Sequence, residues 1–220
     1  MKKSIRINER LRKINPNIVI GHIEGEIEFT KYNEPLWTKI HTLCKEIETH
    51  YTTESIKQIE NISTLRKTYK DCGKAPSRYR SSCEAMMRRI IQGKGLYQVN
   101  TPVDAGNLLS LEIKNSIGLF DKSKIEGDIE FRIGNQGESF KGIGRYELNM
   151  EGMPMVCDKT EGFGSPTSDS ERTCIQEKTT EILLCIYSFA GRKNIEDDCK
   201  KAIDLFERYC MGKALSFNVI

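Results

Sequence analysis

Apolar residues return at helical spacing from Asn33 to Thr49, where Leu36, Trp37, Ile40, Leu43, Cys44 and Ile47 share one face and Asn33 stands at the capping position. A second helix is predicted from Glu54 to Tyr69, with Ile56, Ile59, Ile62 and Leu65 inward, ending before Gly73 and Pro76. A third starts at Ser81, whose spacing to Glu84 is that of a capping box, carries Cys83, Met86, Met87 and Ile90 inward, and stops at Gly93. The last runs from Ile195 to Met211, opened by Asn194 and the acidic Glu196, Asp197 and Asp198 and closed by Gly212. Its stripe is Ile195, Cys199, Ala202, Ile203, Phe206 and Tyr209. Between the third and last helices the texture changes to short β-like runs at Ile129 to Ile133, Ser139 to Tyr146, Met153 to Cys157 and Ile182 to Phe189. Ile18 to Phe29 alternates imperfectly and reads as an edge strand or hairpin. Gly162 to Ser170 is a candidate mobile loop. The expected class is α+β, a single domain of mixed β-sheets packed with helices.

A chain of 220 residues, 38% apolar and 30% charged, can bury a core without staples and is neither collagenous, low-complexity nor disordered. The opening MKKSIRINERLRK lacks the apolar run of a secretory signal, and the longest apolar stretch, Ile182 to Tyr187, is far too short for a bilayer. A soluble, cytoplasmic protein with no membrane partner is expected. The eight cysteines include no CxxC pair, and only His41 with Cys44 approaches ligand spacing. No metal and no cofactor is expected; the cysteines read as small core residues in a reducing compartment, Cys199 and Cys210 on an apolar stripe among them.

The net charge of +3 is uninformative, but its distribution is not. Arg66, Lys67, Lys70, Lys74, Arg78, Arg80, Arg88, Arg89 and Lys94 face only Asp71 and Glu84 within one segment, with Tyr69, Tyr79 and Tyr97 among them. Cations interleaved with aromatic faces suit single-stranded nucleic acid; a solvated helix face with internal ion pairs is the alternative. Lys2, Lys3, Arg6, Arg10, Arg12 and Lys13 read as a frayed terminus. No GxSxG, GK-ending phosphate loop, HExxH or dinucleotide fingerprint occurs, and the three histidines, His22, His41 and His50, read as structural. Any catalysis must then work through positioning and backbone dipoles.

The stretch from Tyr79 to Phe140 carries a series of Val103, Asp104, Asn107, Leu111, Glu112, Phe120 and Asp121, then Lys124-Ile125 and Gly137-Glu138. With the block from Ser170 to Phe189, it resembles the B3/B4 domain, the aminoacyl-tRNA editing module of the β subunit of bacterial phenylalanyl-tRNA synthetase. The resemblance covers more than half the chain and implies a freestanding relative rather than a synthetase. It divides residues 1–220 into a helical N-terminal extension (1–75), an editing-like core (76–190) and a C-terminal helix (191–220). That family hydrolyses the ester joining tyrosine to the tRNA for phenylalanine. An aminoacyl ester is already activated, so a pocket that positions the carbonyl beside an ordered water needs no triad.

The resemblance also marks departures. The family's Thr-Asn pair is Gly106-Asn107 here, its pocket histidine is Gly118, and its tyrosine-binding glutamate is Cys185. The two glycines are expected to enlarge the pocket or to bring backbone closer to a ligand, and Cys185 is a poor partner for a hydroxyl, so a different or broader substrate, or no deacylation, is expected. Asn107 is the leading catalytic candidate, with Gly106 and Gly118 beside it; Glu112, Arg172, Thr173 and Cys185 are pocket candidates. Asp104, Glu112 and Asp121 read as caps and turn residues ahead of any pocket role, and Arg172 and Thr173 read equally as contacts to a terminal ribose or phosphate and as the start of a surface strand. Arg66, Lys70, Lys74, Arg78, Arg80, Arg88, Arg89 and Lys94 are the nucleic-acid candidates. The expected partner is tRNA or aminoacyl-tRNA, not DNA, and the expected function is hydrolysis of mischarged ester in trans. A noncatalytic RNA-binding or regulatory module and a small-metabolite pocket stand as alternatives.

Overall fold

Two hydrophobic cores lie on opposite faces of one antiparallel sheet in the computed structural model, which describes residues 4–144 and 147–220. In chain order the elements are β1 (Ile5–Ile7), α1 (Glu9–Ile14), β2 (Val19–Glu26), α2 (Glu34–His50), α3 (Thr53–Gln58), α4 (Glu60–Asp71), α5 (Ser82–Ile90), α6 (Thr101–Ile113), β3 (Ser116–Asp121), β4 (Ile129–Ile133), β5 (Ser139–Lys141), β6 (Glu147–Asn149), β7 (Pro154–Cys157), β8 (Gly162–Gly164), β9 (Glu181–Ser188), α7 (Ile195–Cys210) and β10 (Lys213–Val219). The central sheet has the order β10-β2-β9-β3, a second sheet β1-β4-β7-β8, and β5-β6 form a small ribbon. This is the mixed α+β single domain expected.

The apolar run of β9 explains the layering. Ile182, Leu184 and Ile186 enter a core shared with α2, α5, α6 and α7, while Leu183, Cys185 and Tyr187 enter a second core shared with β4, β7 and β8. A strand buried on both faces has no polar alternation, hence the continuous run. Strand β3 divides in the same way: Ile117 and Leu119 face the helical core and Phe120 the second.

Several expectations are corrected. The Glu54 to Tyr69 helix is two helices that break at Ile59, whose extended ψ of 126° ends α3 and begins α4. Asn33 caps α2 as expected, accepting from Leu36 N. Ser81 accepts from Glu84 N, but the Glu84 carboxylate does not reach back, because Arg66 and Arg88 hold it. Ile18 to Phe29 supplies no edge strand: β2 lies between β10 and β9. Residues 1–75 are accordingly not a purely helical extension, since β1 and β2 join the two main sheets, and Arg6 sits in a strand paired to β4 with Glu130 at 3.2 Å. Residues 191–220 add β10 after the helix. Lys2, Lys3 and Tyr146 lie outside the described residues.

Helix α6 was missed because ten of its thirteen residues are buried, leaving no polar face for a periodic pattern to show. It also contains Pro102 and Gly106, the first near the start, where its missing N–H costs nothing. Gly106 lets α6 lie close on β3: a Cβ there would meet Ile117 Cδ1 at 3.0 Å.

Candidate functional site

The N-terminal half of α6 is held firmly before it reaches the site. Asn100 caps it by accepting from Val103 N, and Asp104 accepts from both Trp37 Nε1 (2.9 Å) and Val99 N (3.0 Å). Burial pushes the Asp104 carboxyl up, and the hydrogen bonds from Trp37 and Val99 oppose that. Asp104 is therefore a brace that pins the 97–100 segment to α2 and α6. One turn later, Gly106 and Asn107 line a cavity of about 290 Å³. Its walls are mainly apolar, with Met86 of α5, Val103 of α6 and Ile117 and Leu119 of β3. Asn107 is half-buried, and its amide has no hydrogen-bond partner among the described residues, so its donor and acceptor are both available to a ligand.

Ser165, Ser168 and Asp169 close the other side. The expectation of a mobile loop over Gly162 to Ser170 is corrected: it begins in buried β8, and Ser165 Oγ accepts from the backbone N–H groups of Thr167 and Ser168. Asp169 Oδ2 accepts from Leu119 N at 3.3 Å, at the free edge of β3, and Oδ1 is shielded from solvent without a hydrogen-bond partner among the described residues. Burial pushes this carboxyl up to about 8, against the pull of the Leu119 and Ser165 N–H groups.

The structure does not bring Gly118 and Cys185 into this cavity. They are paired neighbours on β3 and β9, facing the second core, and Cys185 is fully buried. Nor does Gly118 enlarge any pocket: a Cβ there would lie 2.4 Å from Phe120 Cζ and 2.5 Å from Tyr187 Oη, which already fill the space. Burial raises the Cys185 thiol far above its ordinary value, and no nucleophile is expected of it. Glu112 lies toward the far end of α6, ion-paired to Lys39 at 2.8 Å. Arg172 is a clamp, paired with Asp158 (3.0 Å) and Glu161 (2.9 Å) and donating to Lys124 O, while Thr173 is buried against Phe163 O. Neither lines the cavity, although Cys174 and Ile175, next in sequence, do. Asp121 accepts from Ser123 N and Thr179 Oγ1, as a turn residue would.

The basic segment separates into unequal parts. Arg66 Nη1 donates to both oxygens of fully buried Glu84 (2.9 and 3.0 Å), and Arg88 Nε donates to it at 2.8 Å. Lys74 and Arg78 flank Tyr79, each 5.7 Å from the ring centre, and Lys70 is exposed on α4. Arg80, Arg88, Arg89, Lys94 and Tyr97 form a hollow of about 320 Å³ with no acidic residue in its lining. The Arg89 guanidinium lies 3.6 Å from the centre of the Tyr97 ring and donates to its hydroxyl, and Tyr97 is 65% exposed. This hollow and the cavity share walls: α5 turns Met86 to the cavity and Ala85 and Arg89 to the hollow, while Tyr97 and Val99 divide the next segment between them.

Sequence reasoning missed Asp169, Ser165 and Met86 as cavity residues. Asp169 had no local signal beyond its place in a glycine-rich connection, because its role depends on the β3 edge 50 residues away in sequence. All eight cysteines are free thiols, and no helix among the described residues is long and apolar enough to cross a membrane.

The family described as "B3/4 domain" matches residues 64–210. The phenylalanine–tRNA ligase beta subunit of Bartonella quintana (strain Toulouse) is 28% identical over 100 residues, covering 44% of this chain and 12% of that protein. That of Neisseria meningitidis serogroup B is 26% identical over 123 residues, covering 53% and 15%. Among solved structures, an N-terminal fragment of the phenylalanyl-tRNA synthetase beta subunit from Pyrococcus horikoshii aligns over 98% of this chain and 50% of its own, with a TM-score of 0.48 and 14% identity. The chain thus spans only a small part of the length of the curated relatives it matches. With the family match running over well more than half of its residues, the chain belongs to the B3/4 domain family.

Proposed function

We propose that this chain binds the unpaired acceptor end of an aminoacyl-tRNA and hydrolyses mischarged ester in trans. The observation that carries this reading is the shared wall: an apolar cavity presenting the uncommitted amide of Asn107 adjoins a basic hollow with an exposed tyrosine. The aminoacyl group would enter the cavity while Arg80, Arg89 and Lys94 neutralise phosphate and Tyr97 stacks on a base. Asn107 would donate to the ester carbonyl and orient water; the water oxygen bonds to the carbonyl carbon, the C–O ester bond breaks and the ribose oxygen takes a proton. The test is deacylation across a panel of mischarged tRNAs. Turnover should fall about 100-fold or more in Asn107→Ala, the size expected for loss of one positioned donor. No turnover with any tRNA, or undiminished turnover in the variant, removes the catalytic reading.

A noncatalytic RNA-binding module is favoured by one observation, that Gly118 and Cys185 are walled off behind Phe120 and Tyr187. Salt-sensitive tRNA binding without ester cleavage would support it. Thermal stabilisation by free amino acids and not by RNA would support a small-metabolite pocket instead.

A further inference from the structure

Five large apolar side chains stand exposed among the described residues, and three of them, Tyr97, Val99 and Ile143, belong to the cavity and the adjoining hollow. Val99 and Ile143 line the cavity yet are 54% and 49% exposed, so they stand on its open rim, while Tyr97 lines the hollow. Single exposed aliphatics are ordinary on a protein surface, but two on the rim of one apolar cavity extend its apolar lining out to the solvent, as a binding site does. Neither is carried on a loose tip. Val99 N donates to Asp104 Oδ1 at 3.0 Å, and Ile143 N donates to Asp169 O at 3.2 Å, beside the bridge of Gly142 to Ser170. The backbone of the rim is thus fixed in advance, and a ligand need not order it on binding.

Covalent connectivity says what belongs on that rim. Asn107 lies about 10 Å along α6 from its cap Asn100 by the helix rise, and Val99 immediately precedes that cap. An aminoacyl group in the cavity with its ester at Asn107 must lead its ribose and base outward, and that distance is the length of a nucleoside. We infer that Val99 and Ile143 hold the face of the last base of the acceptor end, an inference that rests on the cavity's taking an aminoacyl ester and adds that the protein reads an aminoacyl nucleoside and not the amino acid alone. The broad face of a nucleobase is apolar, and laying it on the two side chains removes their exposed surface from water. Tyr97, two residues from Val99 and so within about 7 Å of it along the chain, is placed to stack on a neighbouring base of the same strand.

The test uses amide analogues of aminoacyl-adenosine, in which a ribose amine replaces the ester oxygen so that nothing is hydrolysed. They carry leucine, methionine, phenylalanine or tyrosine, and each is compared by calorimetric titration with a counterpart whose ribose bears a methoxy group in place of the base. The wild type should bind at least one adenosine analogue about tenfold or more tighter than its base-less counterpart. Val99→Asn and Ile143→Asn should each reduce that preference about fivefold while binding the base-less ligand as the wild type does, and Ile143→Leu should keep it. Both side chains are half-exposed, and melting curves check that the variants are folded, with Val99→Thr and Ile143→Thr serving if they are not. Equal binding of the two ligand types by the wild type, binding of neither, a base preference intact in both variants, or a loss shared equally by the base-less ligand overturns the inference. So does self-association of the free protein that the same substitutions abolish, since a second copy would then cover the rim. Wild-type turnover of mischarged tRNA whose KM and kcat both substitutions leave unchanged sinks this inference alone, whereas base-dependent binding without any turnover removes the catalytic reading and leaves the role of the rim standing.

Discussion

Replacing Glu84 by glutamine removes the charge that holds two arginines of the basic segment against the fold. The carboxylate is fully buried and accepts three charge-assisted hydrogen bonds, two from Arg66 and one from Arg88. Removing one partner of a buried pair typically costs about 3–5 kcal/mol, because the remaining charge is left uncompensated. Here the arginine side chains are 24% and 16% exposed, so water recovers part of the loss and the expectation is near the bottom of that range, about 3 kcal/mol. For a domain of this size that lowers Tm by about 6–12 °C. Urea unfolding followed by circular dichroism reads the free energy, and a double-mutant cycle with Arg66→Met isolates the pair. Arg66→Met should also leave the salt dependence of tRNA binding almost unchanged, because Arg66 is already neutralised. If Glu84→Gln unfolds within about 0.5 kcal/mol of wild type, or Arg66→Met flattens the salt slope as much as Arg89→Ala does, the division of the basic segment into structural and RNA-facing parts is wrong.

The two glycines of the departing motif should behave oppositely. Gly118→Ala forces a methyl into Phe120 and Tyr187 and should cost about 1–3 kcal/mol in denaturant unfolding. Gly106→Ala meets the end of the Ile117 side chain at 3.0 Å and Leu119 Cδ2 at an ordinary 3.6 Å, and gains about 1 kcal/mol of helix propensity, so it should be neutral or stabilising; equal losses at both sites would refute this. Asp169 has a folded pKa raised to about 8 over an ordinary carboxyl near 3.9, so the folded state binds the proton more tightly and the contribution, whole below about pH 4, is lost as pH rises through about 8. Asp169→Asn should therefore gain stability relative to wild type from pH 5 to pH 8, and a constant difference between the two melting profiles would contradict the burial of that carboxyl. Tyr97→Ala should weaken single-stranded RNA binding by about 1–3 kcal/mol in filter binding, the usual worth of one base stack, with little change in melting temperature since the ring is mostly exposed.

Sequence by itself determined the elements whose burial is one-sided or whose caps are local: α2 with Asn33, α5 with Ser81, α7 with its apolar stripe, and β4 at its observed bounds. It also located the basic segment and, through the Val103 to Asp121 series, the family. Local periodicity could not show α6, which is buried on nearly every side, nor distinguish Arg66 from Arg89, since the difference is a buried glutamate that captures one and a tyrosine that carries the other. Only the tertiary structure decided that Asn107 and Cys185, both expected at one pocket, are set apart, Asn107 in the cavity and Cys185 on the opposite face of the sheet. The physical reason is the strand period of two: residues of β3 and β9 alternate between faces, so a packed sheet sends Gly118 and Cys185 into the second core and leaves Ile117 and Leu119 at the cavity. Asp169 entered the site for the same kind of reason, through a free N–H on the edge of β3.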